Sequence, residues 1–200
     1  MSHCTFILAR HGETYWNQKR RMQGQVNIPL NENGISQAER LAEKLRPYDF
    51  DICYSSPLAR SLRTAEIICN SRNVAIIKDD RLVEQSYGIC EGQPQKIVFN
   101  VPFCRMYHYV HNTAKYKAPT GGESFEDMIL RGGRVIREIM EPAASKYNTV
   151  LISGHGAILC SIFCNIENIP VSEFWKERLD NCGYAVVEWT DGQWLIKGRG

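Results

Sequence analysis

Short apolar segments alternate with helical patterns along this chain, and that alternation constrains its fold more than any other feature. Strand-like segments cover residues 5–9, 51–54, 74–78 and 149–153, and helical patterns cover residues 35–46, 58–70, 125–146, 157–164 and 172–178. A repeated order of strand and helix is typical of a mainly parallel sheet with helices on both faces. Two more strand-like segments, 184–189 and 194–197, flank Asp191-Gly192, a strong hairpin signal. The sequence therefore predicts an α/β fold whose mainly parallel sheet has an antiparallel edge.

Length and composition favour a single domain. The 200 residues contain no linker-like segment, so residues 1–200 are predicted to form one unit. The formal net charge of +2 is too small for general attraction to nucleic acid or a membrane, and neither is expected as a partner. No signal peptide or long apolar span is apparent. The eight cysteines form no C-x-x-C pair and are typical of reduced thiols in a cytoplasmic protein; Cys160 and Cys164 are interpreted as core residues rather than metal ligands.

The segment from about residue 84 to residue 122 departs from the strand and helix order. It contains Pro94, Pro102 and Pro119 and many aromatic residues. We interpret it as an insertion that covers the active edge of the sheet. Its aromatic residues could line an apolar pocket or form the insertion's own core.

Three polar motifs follow predicted strands, where open α/β sheets bind ligands. The first is Arg10-His11-Gly12-Glu13, the second is Gly154-His155-Gly156, and the third is Ser55 to Arg60, which carries an arginine into the first turn of a helix. A guanidinium group donates a fork of hydrogen bonds that matches phosphate oxygens, and a neutral histidine is a nitrogen nucleophile. Each motif alone could be an ordinary polar loop. Gly12, Gly154 and Gly156 are expected to let a ligand approach the backbone closely, because glycine has no side chain. Together the three motifs favour a site that handles phosphate.

These motifs carry a family resemblance. Arg10-His11-Gly12-Glu13-Thr14, followed by Trp16-Asn17, resembles the signature of the histidine phosphatase superfamily, phosphoglycerate-mutase-like branch. Further similar stretches, in the same order as in the family, are Gln23-Gly24, Pro29-Leu30, Gly34, Ser56-Pro57-Leu58 with Arg60, Leu82 with Glu84, Glu91-Gly92, Gly122-Glu123-Ser124 and Gly154-His155-Gly156. The resemblance implies a three-layer α/β/α sandwich and a phosphohistidine intermediate formed with no metal and no cofactor.

The resemblance also implies roles for individual residues. His11 would be the nucleophile, and Arg10, Arg60 and His155 would surround the transferred phosphoryl group. Glu84 would donate a proton to the leaving oxygen and then deprotonate water. The positions that would bind substrate are Asn17, Gln23, Gly24 and Gly156.

Other polar residues have less defined expectations. Glu13 is expected to orient Arg10 or a backbone group, and His3, His108 and His111 are expected to be surface or packing residues. The triplet Lys19-Arg20-Arg21 either extends the positive potential over the pocket mouth or is a solvated loop. Two positions depart from many relatives: Asn27 replaces an aspartate, and Gly154 replaces a serine. Neither change removes a group that would contact phosphate.

Three activities are compatible with the sequence. The preferred one is a phosphatase that hydrolyses a small phosphorylated metabolite and releases inorganic phosphate. The second is a phosphoglycerate mutase or sugar bisphosphatase, which the chain length and the absence of an adjacent Arg-Arg pair within the insertion disfavour. The third is a non-catalytic protein that binds a phosphorylated ligand. The oligomeric state cannot be read from the sequence.

Overall fold

A six-stranded sheet forms the centre of the protein. The computed structural model describes residues 3–70 and 72–200, and within them the strands are β1 (His3–Arg10), β2 (Ile52–Ser55), β3 (Ala75–Lys78), β4 (Thr149–Gly154), β5 (Tyr184–Thr190) and β6 (Gln193–Arg199). Their order is β3-β2-β4-β1-β5-β6. The β3-β2, β2-β4 and β4-β1 pairs are parallel, whereas β5 is antiparallel to both β1 and β6. The predicted mainly parallel sheet with an antiparallel edge is confirmed.

Eight α-helices connect these strands within the described residues. They are α1 (Tyr15–Gln18), α2 (Glu32–Lys44), α3 (Ala59–Cys69), α4 (Gln95–Asn100), α5 (Tyr107–His111), α6 (Phe125–Val135), α7 (Glu141–Ala144) and α8 (Gly156–Glu167). Short 3-10 turns cover Asp80–Leu82, Gly88–Cys90, Thr113–Lys115 and Val171–Glu173. The predicted helix at 125–146 is continued past α6 by a π-helical turn, Ile136–Met140, and then by α7. The predicted helix at 172–178 is wrong, because that segment forms only the 3-10 turn Val171–Glu173 and further turns.

The sheet separates two apolar cores, because successive side chains of a strand point to opposite faces. Phe6 and Leu8 of β1 face the core that contains α6 and α8, whereas Ile7 faces the core that contains α2 and α3. All three side chains are fully buried. This arrangement gives the three layers, helix, sheet and helix, that the sequence predicts.

Cysteines contribute to both cores. Cys160 and Cys164 of α8 are buried in the larger core, which confirms their interpretation as core residues. All eight cysteines are free thiols.

Within residues 3–70 and 72–200, no group of three or more His, Cys, Asp or Glu side chains is arranged to hold a metal ion. No helix among these residues is long and apolar enough to cross a membrane.

Residues 84–122 contain α4, α5 and two of the 3-10 turns but no strand. Tyr109 of this segment is buried and stacks on Phe125 of α6, with ring centroids 5.2 Å apart. Tyr116 packs against the same ring at 4.9 Å. The division into one domain with an insertion at 84–122 stays a prediction, but the aromatic contacts attach this segment to the larger core.

Candidate active site

The carboxyl ends of three parallel strands bring the predicted motifs together. Arg10 at the end of β1 pairs in register with Gly154 at the end of β4, and Ser153 of β4 pairs with Ser55 at the end of β2. His11 and His155 follow directly after β1 and β4. Their ring centroids lie 5.0 Å apart, and both side chains are buried.

The surroundings of His11 define its tautomer and charge. Its Nδ1 lies 2.7 Å from the carbonyl oxygen of Gly12. Because a carbonyl oxygen can only accept, Nδ1 carries the proton, and the neutral ring keeps an unprotonated Nε2. Burial lowers the pKa of His11 well below 6.5, and the charges of Arg60 and Arg10 lower it further. His11 is therefore held as a neutral imidazole with Nε2 available as a nucleophile.

Arg10 is buried beside this ring. Its Nη1 donates to the carbonyl oxygen of Leu179 at 2.7 Å, whereas its buried Nε has no hydrogen-bond partner among residues 3–70 and 72–200. Burial lowers the pKa of Arg10, and the nearby charge of Arg178 adds to that shift. A buried guanidinium with an unused donor is suited to an anion.

Arg60 reaches back from the first turn of α3 and is completely buried. Its Nη2 donates to the carbonyl oxygen of Gly24 at 2.7 Å, and its Nη1 donates to that of Val26 at 2.8 Å. Its Nε donates to Nδ1 of His155 at 3.2 Å. Burial lowers the pKa of Arg60 to about 10. Arg60 therefore ties the loop after Gly24 to His155, and two of its five N–H groups are left for a ligand.

His155 lies behind this guanidinium. Its Nδ1 accepts from Arg60, and its Nε2 lies 2.8 Å from the hydroxyl oxygen of Ser56. Burial and the charge of Arg60 lower the pKa of His155 well below 6.5. As far as the described residues form it, the cavity wall does not include His155. The structure thus brings His155 to the site, where it contacts Arg60 and Ser56.

Glu84 is held by the amino end of α8. Its Oε1 accepts from the N–H groups of Gln85 at 2.9 Å and Ala157 at 3.0 Å, and the residue is only 8% exposed. A Cβ added to Gly156 would lie 3.6 Å from Oε2 of Glu84 and 3.8 Å from Nε of Arg10. Gly156 therefore keeps the space between these two groups open.

A second layer of contacts fixes the backbone that carries Glu84. Arg131 of α6 forms a two-point ion pair with Glu123, with Nε–Oε1 at 3.1 Å and Nη2–Oε2 at 2.8 Å. The same guanidinium donates to the carbonyl oxygens of Arg81 at 3.1 Å, Val83 at 2.5 Å and Glu84 at 3.3 Å.

The carboxylate of Glu91 joins this region to the opposite loop, because its Oε1 accepts from the N–H groups of Gln25 and Tyr87, each at 3.0 Å.

Two observations favour glycine at position 24. Its φ of +53° lies in the left-handed region. In addition, a Cβ there would lie 2.0 Å from Oε1 of Glu91. A side chain at this position would strain the backbone and displace the Glu91 carboxylate from its contacts with Gln25 and Tyr87.

Asn17 and Gln23 share one anchor, Thr14. The N–H of Thr14 donates to Oδ1 of Asn17 at 3.2 Å, and its hydroxyl donates to Oε1 of Gln23 at 2.8 Å. Thr14 thereby engages the side-chain oxygen of each amide, and the side-chain NH2 groups of Asn17 and Gln23 are directed away from it. These two NH2 groups are neutral donors, in addition to the charged donors of Arg10 and Arg60.

A cavity of about 310 Å³ opens above His11. Eight of the nine predicted site residues line it, namely Arg10, His11, Asn17, Gln23, Gly24, Arg60, Glu84 and Gly156. The remaining wall is formed by Arg21, Met22, Tyr87, Gln95, Phe99, Tyr109, Val110, Trp175 and Arg178. Of the basic triplet, Arg21 lines the cavity, whereas Lys19 and Arg20 do not. The sequence analysis did not assign Trp175 and Arg178 to the site. Both lie in the segment 172–178, which was wrongly predicted to form a helix.

Three expectations about nearby residues need correction. Oε1 of Glu13 accepts from the side-chain amides of Asn31 at 2.7 Å and Asn33 at 3.2 Å, so within the described residues its carboxylate orients neither Arg10 nor a backbone group. Gly12 was expected to give room to a ligand. A Cβ there would instead lie 2.4 Å from the carbonyl oxygen of Gly34, so the close approach is between two parts of the chain.

The glycine before the second histidine is the third correction. A Cβ on Gly154 would face Ile158 and Leu159 of α8 at 3.3 and 3.4 Å. Only the glycine after His155 therefore gives access to the cavity. At the other departure, Oδ1 of Asn27 accepts from the N–H of Ala59 at 2.7 Å and caps α3, a contact that an aspartate oxygen would also make.

The remaining histidines lie away from the cavity. His3 is exposed, with Nδ1 3.1 Å from the hydroxyl oxygen of Thr190. His111 is exposed and lies 3.1 Å from the carbonyl oxygen of Phe99, and His108 packs edge-on against Tyr107. None of the three belongs to the described cavity wall.

Known proteins resemble this chain over nearly its full length. Residues 6–200 match the model of the histidine phosphatase superfamily (branch 1). Phosphoserine phosphatase 1 of Hydrogenobacter thermophilus is 31% identical over 181 residues, which is 90% of this chain and 84% of that protein. A Yersinia pestis protein named probable phosphoglycerate mutase GpmB is 32% identical over 192 residues, 96% of this chain and 87% of that protein. Among solved structures, Bacillus stearothermophilus YhfR superimposes with a TM-score of 0.89 at 30% identity, covering 97% of this chain and 95% of that one.

Proposed function

The chain belongs to the histidine phosphatase superfamily (branch 1) and is a phosphatase of that type, and we propose that it hydrolyses a small phosphomonoester through a phosphohistidine on His11, with no metal ion. One observation carries the proposal. The neutral ring of His11 has its Nδ1 proton directed to the carbonyl oxygen of Gly12, and it lines a cavity with Arg10, Arg60 and Glu84. A nucleophile, two cations and one carboxyl group are thus placed around a space large enough for a phosphoryl group.

In the first step, Nε2 of His11 attacks phosphorus while the bond from phosphorus to the leaving oxygen breaks. Glu84, in its protonated form, gives its proton through Oε2 to that oxygen, and the alcohol departs. Arg10 and Arg60 offset the charge on the equatorial oxygens. His155 holds Nε of Arg60 and so acts on the phosphoryl group through that guanidinium.

In the second step, water attacks the phosphohistidine from the side that the alcohol has left. Glu84, now a carboxylate, takes a proton from this water. The P–N bond breaks, inorganic phosphate leaves, and Nε2 of His11 regains its electron pair. The enzyme returns to its starting state with Glu84 protonated, so atoms and protons balance over the cycle.

The cavity favours a small substrate. Its volume of about 310 Å³ is at the lower end of the range for small-molecule sites. The amide groups of Asn17 and Gln23 and the backbone at Gly24 line it and would contact the phosphoryl group or the adjoining part of the substrate. Eight free cysteines favour a cytoplasmic location, which stays part of the proposal.

A mutase or sugar bisphosphatase would use the same first step and is the alternative. The similarity to a protein named as a probable phosphoglycerate mutase favours it. In that case the phosphoryl group of His11 would pass to a second substrate oxygen instead of water. A purely ligand-binding role would require neither His11 nor Glu84, and both line the cavity.

The test is a panel of phosphorylated metabolites in which inorganic phosphate and isomerised product are measured in the same reactions. We expect phosphate release by the unmodified enzyme, unchanged activity after treatment with EDTA, and loss of turnover in His11→Ala. His3→Ala is the matched control, because His3 is an exposed histidine outside the cavity. Product that is mainly isomerised would favour the mutase. Loss of activity with EDTA and rescue by a divalent cation would refute the metal-free mechanism.

A further inference from the structure

We infer that Arg178, together with Arg21, binds a second anionic group of the substrate, so that the enzyme selects phosphomonoesters whose leaving group is itself negatively charged. The inference rests on the proposed function and adds a substrate class to it. Arg178 and Arg21 line the same cavity as His11.

The cavity wall carries more positive charge than a single phosphoryl group would neutralise. Four arginines line the cavity, and Glu84 is the only acidic residue of its described wall. Arg10 and Arg60 are enough for a phosphoryl dianion. The ion pairs formed within residues 3–70 and 72–200 include neither Arg21 nor Arg178. Two cations therefore face the cavity without a carboxylate partner from the described part of the chain, and a charged substrate group would supply one.

The backbone next to Arg178 is fixed to the reacting centre. Nη1 of Arg10 donates to the carbonyl oxygen of Leu179 at 2.7 Å. The carbonyl oxygen of His11 accepts from Nδ2 of Asn181 at 3.1 Å and from the N–H of Cys182 at 3.2 Å. These bonds hold the segment that begins at Arg178 against both Arg10 and His11. The backbone that carries Arg178 is therefore held close to the reacting centre.

The side chain of Arg178 is exposed and lies over one aromatic ring, that of Trp175. Its Cζ lies 5.8 Å from the ring centre of Trp175, within range of a cation–π contact. The indole N–H of Trp175 donates to the carbonyl oxygen of Tyr109 at 3.3 Å, which fixes the ring. Burial lowers the pKa of Arg10, and the charge of Arg178 lowers it further, as expected for two guanidinium groups that line one cavity.

Arg21 is also oriented before any ligand binds. Its Nη1 donates to the carbonyl oxygen of Gly92 at 2.7 Å, and its backbone forms a bridge with Pro94. One bond to a neutral carbonyl leaves the charge of Arg21 uncompensated and four of its five N–H groups free of that contact. Both side chains are exposed, and one contact orients each of them: a hydrogen bond for Arg21 and the ring of Trp175 for Arg178. Each such contact reduces the side-chain entropy that is lost when an anion binds.

The experiment uses substrate pairs that differ by one anionic group. The pairs are 3-phosphoglycerate with glycerol 3-phosphate, phosphoserine with phosphoethanolamine, and fructose 1,6-bisphosphate with fructose 6-phosphate. A charged hydrogen bond to the extra group predicts a kcat/KM about 10- to 100-fold higher for the charged member of at least one pair. The pair that shows the preference distinguishes a carboxylate from a second phosphate.

The variant Arg178→Gln is expected to reduce that ratio to within about threefold of unity, chiefly by raising KM for the charged substrate, because roughly one charged hydrogen bond is lost. Arg178→Lys keeps the charge and is expected to restore part of the ratio. Lys176→Gln is the control, since Lys176 pairs with Glu173 and is not part of the described cavity wall. It should leave the ratio at the value of the unmodified enzyme.

Two results would overturn the inference: equal kcat/KM within all three pairs, or a fall in Arg178→Gln that is proportional for both members of the preferred pair. The second result would indicate a structural role for Arg178. Failure of the proposed function itself would look different, because the unmodified enzyme would then release no phosphate from any of the six compounds or from p-nitrophenyl phosphate.

Discussion

Arg131→Met is the substitution whose effect the structure predicts in most detail. The side chains of Arg131 and Glu123 are 14% and 25% exposed, so their ion pair is largely shielded from water. Methionine keeps much of the aliphatic length but leaves the Glu123 carboxylate without its partner. Breaking a buried ion pair from one side costs about 3–5 kcal/mol. Because the pair is partly exposed, we expect about 3 kcal/mol of lost unfolding free energy, at the lower end of that range.

The same substitution should also slow catalysis. Arg131 donates to the backbone carbonyl oxygens of Val83 and Glu84, so its loss releases the segment that positions the Glu84 carboxyl group. Misplacement of a catalytic group by about 1 Å can cost about 100-fold in rate. We therefore expect kcat to fall about 10- to 100-fold for a substrate with a poor leaving group, with a smaller change for p-nitrophenyl phosphate.

Urea unfolding followed by circular dichroism measures the first effect, and steady-state kinetics measure the second. Arg134→Met is a matched control on the same helix, because Arg134 and its partner Glu138 are 55% and 43% exposed. Such a surface pair is screened by water and contributes little to stability. In a double-mutant cycle, Glu123→Gln combined with Arg131→Met should reveal a coupling of about 2 kcal/mol. Equal destabilisation by Arg131→Met and Arg134→Met, or an unchanged dependence on the leaving group, would refute the reasoning.

Three further outcomes follow from named contacts. Glu84→Gln should slow the release of poor leaving groups more than good ones, and equal slowing across a series of aryl phosphates would mean that Glu84 is not the proton donor. Burial lowers the pKa of His11 and His155 below 6.5, so below pH 6.5 the unfolded chain binds more protons than the folded protein does. The free energy of unfolding should therefore fall as the pH drops below 6.5, by at most about 1.4 kcal/mol per pH unit for each histidine. His11→Gln should remove the contribution of His11 to this dependence, and an unchanged slope in urea titrations at pH 5 to 7 would contradict this. Asn27→Ala should lower the free energy of unfolding by about 1 kcal/mol, because the cap of α3 is lost, whereas Asn27→Asp should retain it; equal effects would exclude the capping role.

Much of the fold could be predicted from the sequence, because the apolar pattern of the strand segments agrees with their buried position in the sheet. The apolar segments at 5–9 and 149–153 become the neighbouring central strands β1 and β4, which are buried on both faces. The residues that follow neighbouring parallel strands lie at the same edge of the sheet, so His11 and His155 could be expected to lie together.

Other features depend on contacts that no local pattern contains. Gly132 resembles a helix breaker, yet it lets α6 pack against Ser161 of α8, where a Cβ would lie 2.5 Å from the serine hydroxyl oxygen. The segment 172–178 has a helical pattern, but Phe174 packs against Phe125 with ring centroids 4.4 Å apart, and aromatic packing takes precedence over helix propensity. The same packing places Trp175 and Arg178 in the cavity, which explains why sequence reasoning missed them.

A phosphorylated His11 is the central claim, and trapping it is the most direct test. Glu84→Gln, mixed briefly with p-nitrophenyl phosphate and quenched in alkali, should accumulate a phosphoenzyme because water is no longer activated. Mass spectrometry of its peptides should place the phosphoryl group on His11, and the double variant with His11→Ala should carry none. Phosphate on any other residue, or continued turnover by His11→Ala at the unmodified rate, would contradict the account.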